Sequence, residues 1–69
     1  MIHITVNGTT KPIEKNASLT TLLFELQIPP STVGIAVAVN AQVIPHSSYE
    51  TYELQENDHV EIIRPVGGG

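Results

Sequence analysis

The sequence predicts an α+β domain of two layers, with a single helix packed on one face of a mixed sheet of four to five strands. Three observations carry this. Ile2-His3-Ile4-Thr5-Val6 at the start and Val60-Glu61-Ile62 near the finish alternate apolar and polar residues, the period-two mark of a strand with one buried face. Only one stretch changes to helical spacing: Leu19, Leu22, Leu23 and Leu26 fall at i, i+3, i+4 and i+7, one stripe of an amphipathic helix. Turn residues separate the strand-like segments, so a lone helix must bury its stripe against a sheet.

Taken in order, the first strand runs into Asn7-Gly8, a hairpin signal because both residues tolerate positive φ. Residues 9–14 return as the second strand. Pro12 cannot donate to a ladder, which places this strand at an edge. Ser18 is the expected N-cap of the helix. The capping box is incomplete, because Thr21 rather than Glu or Gln stands three residues on. Pro29-Pro30 is expected to end the helix, since the residue before a proline leaves the α region. Phe24 lies off the leucine stripe and belongs at the helix margin.

Residues 34–39 (Gly-Ile-Ala-Val-Ala-Val) are a continuous apolar run rich in β-branched side chains and read as a central strand. Ile35, Val37 and Val39 face one way, Ala36 and Ala38 the other. Asn40-Ala41 makes a turn, residues 42–44 a short return strand cut off by Pro45, and residues 46–51 a loop. Residues 52–54 are expected to add another short strand. Residues 55–58 form a turn in which Asn57 tolerates a left-handed backbone. Residues 60–63 are the last strand, with Val60 and Ile62 inward, and Pro65 ends it. This order suits a β-grasp sheet, in which the first and last strands pair in the middle. Residues 1–66 are then the domain and residues 67–69 a flexible tail.

Bulk properties narrow the function. Sixty-nine residues make one small domain, in which a substrate pocket of about 300–1,000 Å³ would consume much of the core. A carrier, binding or subunit role is expected rather than an enzyme. Three basic residues against seven acidic ones disfavour nucleic acid and anionic membranes, which need clustered Lys and Arg. There is no cysteine, so neither a disulfide nor a cysteine zinc site is available. No apolar run approaches the ~20 residues of a membrane span. Residues 1–5 lack the charged and apolar regions of a leader, and the expected location is the cytoplasm.

The chain closes on Pro65-Val66-Gly67-Gly68-Gly69, which can reach roughly 17 Å from the last strand at about 3.4 Å per residue. Glycines can thread a channel too narrow for other residues. An α-carboxyl has a pKa near 3.5 and is an anion at neutral pH, and on glycine it is an unhindered nucleophile. A glycine triplet is equally what a frayed chain end looks like, so the tail alone decides nothing.

The opening Ile-x-Ile-x-Val-Asn-Gly, the segment Ile35-Ala36-Val37-Ala38-Val39-Asn40 with Val43-Ile44-Pro45, the run Leu54-x-x-x-Asp58-x-Val60-Glu61-Ile62-Ile63 and the Gly-Gly ending together resemble the bacterial thiamine-biosynthesis sulfur carriers. The similarity spans essentially the whole chain. One departure is Asn57, where members often have Gly. The resemblance implies a ubiquitin-like β-grasp fold and a carrier that is not itself an enzyme. It implies that an E1-like adenylating enzyme activates the Gly69 carboxylate with ATP and Mg²⁺. A sulfur donor such as a cysteine desulfurase then makes a thiocarboxylate, from which thiazole synthase takes the sulfur. Gly68 carries over as the penultimate glycine in the partner's channel; Gly67 and Val66 complete the tail. No cofactor is expected on the chain itself. Without cysteine, sulfur cannot ride on a side-chain persulfide and is left the backbone terminus.

Two relatives of this carrier stay open as alternatives. One is the small subunit of molybdopterin synthase, whose members tend to carry a bulky aromatic near the tail where this chain has Ile63 and Val66. The other is a ubiquitin-like protein-interaction module with an inert tail.

Other features are weaker. His3, His46 and His59 match no metal-ligand spacing, and no metal site is expected. Glu53, Glu56, Asp58 and Glu61 lack a calcium-loop pattern and read as a solvated face. The helix covers one sheet face, so the other meets water or a partner. Ala36, Ala38, Glu61 and Ile63 are placed on that open face, with Arg64 near the tail root, as the docking surface.

Overall fold

A computed structural model describes residues 1–29 and 32–64. The chain forms β1 (Ile2–Val6), β2 (Thr9–Ile13), α1 (Leu19–Glu25), β3 (Ala36–Val39), β4 (Gln42–Ile44), a 3-10 turn at His46–Ser48, and β5 (His59–Ile63). The five strands make one sheet in the order β2-β1-β5-β3-β4. β1 and β5 pair in parallel at its centre, Thr5 opposite His59 and Val6 opposite Val60. The other neighbours are antiparallel. This is the ubiquitin-like β-grasp expected from the element order, and β2, with Pro12, is an edge strand.

The core lies between α1 and one sheet face. Leu19, Leu22 and Leu23 of the helix meet Ile4, Ile13, Val37, Val39, Val60 and Ile62 of the strands, with Leu54 and Ile44 closing the sides. Burial alternates along β3 and β5, so period-two patterning sends Val37, Val39, Val60 and Ile62 inward. The Asn7-Gly8 hairpin has both residues at positive φ, 48° and 87°, the type I′ geometry that matches strand twist.

Ser18 caps α1 as predicted: its Oγ accepts the Thr21 backbone N–H at 3.2 Å. The helix ends earlier than its prolines require. Gln27 takes a left-handed φ of 61°, the Ile28 N–H donates to the Leu23 carbonyl and the Gln27 N–H to the Phe24 carbonyl. That pair of bonds is a Schellman stop. Leu26, the last residue of the predicted stripe, therefore becomes the C-cap and is half-buried.

Two further expectations are corrected. Residues 46–51 are not all loop, because His46–Ser48 wind into a 3-10 turn. Residues 52–54 add no strand to the sheet; Glu53 makes one isolated bridge to Ser18. That segment serves the helix instead. The Tyr52 and Tyr49 carbonyls accept the Leu19 and Thr20 N–H groups, two of the donors a helix start leaves unpaired.

Candidate functional site: the open sheet face and the root of the tail

β5 is the last strand before the glycine tail, and its two ends are fastened differently. At its start, Asn40 and Asp58 tie the β3–β4 turn to the strand. Asn40 Nδ2 donates to Asp58 Oδ1 at 3.0 Å and the His59 N–H donates to Asn40 Oδ1 at 3.0 Å. The Gln55 N–H donates to Asp58 Oδ2 at 2.8 Å, closing the turn before β5. Asp58 is thus 8% exposed and belongs to this turn, not to a solvated acidic face as the sequence suggested. Asn57 adopts the left-handed backbone expected of it, φ 69°.

Strand register sets the open face. Ala36 pairs with Ile63, Ala38 with Glu61, and Ala38 also with Val43 on its other side. Directly paired residues share a face, so Ala36, Ala38, Glu61 and Ile63 stand together on the side away from α1. Arg64 follows Ile63 and is exposed. Ile63 is 59% exposed and Val43 70%, so small alanines are flanked by two aliphatic side chains. Val43 was missed in the sequence-based patch. The signal existed, because Ile44 facing inward obliges Val43 to face outward.

Other titratable groups are engaged elsewhere. Lys11 Nζ lies 3.1 Å from Glu25 Oε1, joining β2 to the end of α1. His46 Nε2 donates to the Ile35 carbonyl at 2.8 Å, which ties the 3-10 turn to the lead-in of β3. The His3 backbone N–H donates to Glu56 Oε2 at 3.2 Å. Among the described residues no group of three or more His, Cys, Asp or Glu side chains is placed to hold a metal ion. No described helix is long and apolar enough to cross a membrane.

Comparison with known proteins decides the family. The model of the ThiS family matches residues 4–69, nearly the entire chain and including the glycine tail. The chain belongs to the ThiS family. Members are small sulfur carriers rather than catalysts, and this chain is one of them. Its fold is similar to the crystal structure of the thiamine biosynthesis protein ThiS from Geobacter metallireducens, with a TM-score of 0.80 and 24% identity over 99% of this chain and 100% of that one. A solution NMR structure of a thiamine biosynthesis protein from the same organism gives a TM-score of 0.79 and 24% identity over 99% of this chain and 88% of that one. No curated protein matches the chain.

For this ThiS-family chain, Val66, Gly67, Gly68 and Gly69 lie outside the described residues, as does the boundary proposed at residue 66. What the structure supplies is the platform: a central strand that ends at Ile63, followed by Arg64 as the last described residue before the tail, beside an open, partly apolar face.

Proposed function

We propose that this ThiS-family carrier serves thiamine biosynthesis by carrying sulfur on the carboxylate of Gly69. The family match through residue 69 is the observation that carries the reading. In the cycle, a carboxylate oxygen of Gly69 attacks the α-phosphorus of ATP on an E1-like adenylating enzyme. Pyrophosphate leaves and an acyl-adenylate forms. ATP and Mg²⁺ belong to that partner, and the carrier holds no cofactor of its own.

A persulfide sulfur, supplied by a donor such as a cysteine desulfurase, then attacks the acyl carbon and AMP departs with the bonding electron pair. A thiol cleaves the resulting S–S bond, becoming oxidised to a disulfide and leaving the thiocarboxylate on Gly69. Thiazole synthase takes the sulfur from there. All of this takes place in the cytoplasm, where ATP is at hand.

The body acts as the handle. Ala36, Ala38, Glu61, Ile63 and Arg64 dock the partner, and Val66, Gly67 and Gly68 lie in its channel. Small residues suit this task, since glycine lets a backbone pass where a Cβ would collide, and flat apolar surface flanked by charge suits reversible association.

The test is an intact mass after incubation with ATP, Mg²⁺, the adenylating enzyme and a sulfur donor. Replacement of one oxygen by sulfur is expected in the full chain and none in a chain lacking Gly69, with both melting at the same temperature. Loading of the truncated chain would refute the assignment. Release of the sulfur to thiazole synthase, and not to a large molybdopterin synthase subunit, separates the two carrier pathways.

A further inference from the structure

The hairpin turn between β1 and β2 does more than reverse the chain. β1 pairs with β5 over only two residues, Thr5 with His59 and Val6 with Val60. The chain then turns away at Asn7, φ 48°, and β5 continues past it for three residues towards the tail. A strand abandoned in this way would leave its N–H and C=O groups without partners.

Asn7 fills that gap. Its own backbone N–H donates to the Val60 carbonyl at 2.9 Å. Its side chain then takes both backbone groups of the next residue in register: the Ile62 N–H donates to Asn7 Oδ1 at 2.8 Å, and Asn7 Nδ2 donates to the Ile62 carbonyl at 3.3 Å. A carboxamide presents the same planar donor and acceptor as a peptide group, so the side chain acts as one more residue of β1. The residues that readily accept this left-handed backbone are Gly, Asn and Asp. Of these only Asn offers a donor and an acceptor together.

We infer that Asn7 is a positioning residue for sulfur loading: its amide clamps Ile62 and thereby fixes the direction in which β5 delivers the tail, with Ile63 held on the open face. This rests on the carrier reading above. A partner that must grip the body and the tail at once gains from a fixed relation between them, because less ordering remains to be done on binding. Once bound, the tail is ordered by the partner's channel, so loss of the clamp raises KM for the carrier and leaves kcat in place.

Asn7→Gly tests this, because glycine keeps the turn and removes only the amide. The Ile62 amide is expected to exchange with solvent about tenfold faster relative to the Thr5 amide, whose bond to the Asp58 carbonyl lies in the same β1–β5 pairing and reports opening of the two strands themselves. KM for the carrier in adenylation is expected to rise about fivefold with kcat unchanged. Asn7→Asp, which keeps one acceptor and opposes the Ile62 carbonyl, should fall between. Ile13→Val, a core change at the other end of the hairpin, controls for stability and should leave KM alone. An unchanged Ile62 exchange ratio, or a changed ratio with an unchanged KM, overturns the inference. Failure of the wild-type chain to load sulfur would instead sink the carrier reading, and the clamp's role with it.

Discussion

Among the described residues, the Tyr49 hydroxyl is the buried side-chain polar atom that finds no hydrogen-bond partner. The residue is 8% exposed, and its ring meets the His46 ring edge-on at 5.0 Å. Burial pushes the phenol above its ordinary pKa of 10.0, and the nearby Val37 backbone opposes this only in part. An unpaired buried hydroxyl costs about 1–3 kcal/mol in lost hydration. Tyr49→Phe is therefore expected to stabilise the fold by about 1 kcal/mol, read from chemical denaturation. The pH dependence has a definite sign. Below pH 10 the phenol is neutral in both states and stability is flat. Above it the unfolded chain ionises first, so stability falls as pH rises towards the raised native value. The Phe variant should lose this alkaline decline, and an identical decline in both proteins would place its origin elsewhere. Nothing in the sequence marks Tyr49, since it lies in a polar stretch expected to be loop, and its burial depends on a turn that only tertiary packing creates.

At the scale of elements, strands were legible because period two forces alternate side chains to opposite faces, and slipping β5 by one residue would expose Val60 and Ile62. Helix start was legible too, through Ser18. The helix stop was not: Pro29-Pro30 is a loud signal, whereas Gln27 in a left-handed backbone has no sequence mark. Residues 52–54 misled for a related reason, as their apolar and aromatic content pays no heed to whether the partner is a sheet or a helix start. The β3–β4 turn is the element with a removable cost. Asn40 and Ala41 have φ of 52° and 69°, and alanine there sacrifices roughly 1–2 kcal/mol that glycine would not. Glycine loses about 0.4–1 kcal/mol of this through its freer unfolded chain. Ala41→Gly is thus expected to add about 0.5–1 kcal/mol and raise Tm by about 2–8 °C. A lower Tm would mean that the Ala41 methyl makes a contact worth more than the strain.

For the molecule as a whole, the question is which of its two sides partners use. Family and fold were legible from motifs spread along the chain, and so was the face that register would leave open, because Ala36 and Ala38 had to oppose Val37 and Val39. Each side displays a large apolar residue: Ile63, 59% exposed, on the open sheet face, and Phe24, 73% exposed, on the helix side. Phe24 borders a groove between α1 and the 3-10 turn, with Ile28, Ile35 and Tyr49 behind it. Exposed residues can be changed with little effect on stability, within about 0.5 kcal/mol, so the two can be compared directly. Ile63→Thr keeps a β-branched strand former opposite Ala36, and Phe24→Gln keeps a good helix former in α1. Of the two, Ile63 adjoins the tail root through Arg64, so a partner that engages both the tail and the body is expected to cover it. Ile63→Thr is expected to raise KM for adenylation about five- to tenfold, while Phe24→Gln leaves it unchanged and both variants melt like the parent. The reverse pattern, with Phe24→Gln impaired and Ile63→Thr normal, would move docking to the helix side and leave the open sheet face without a role in sulfur transfer.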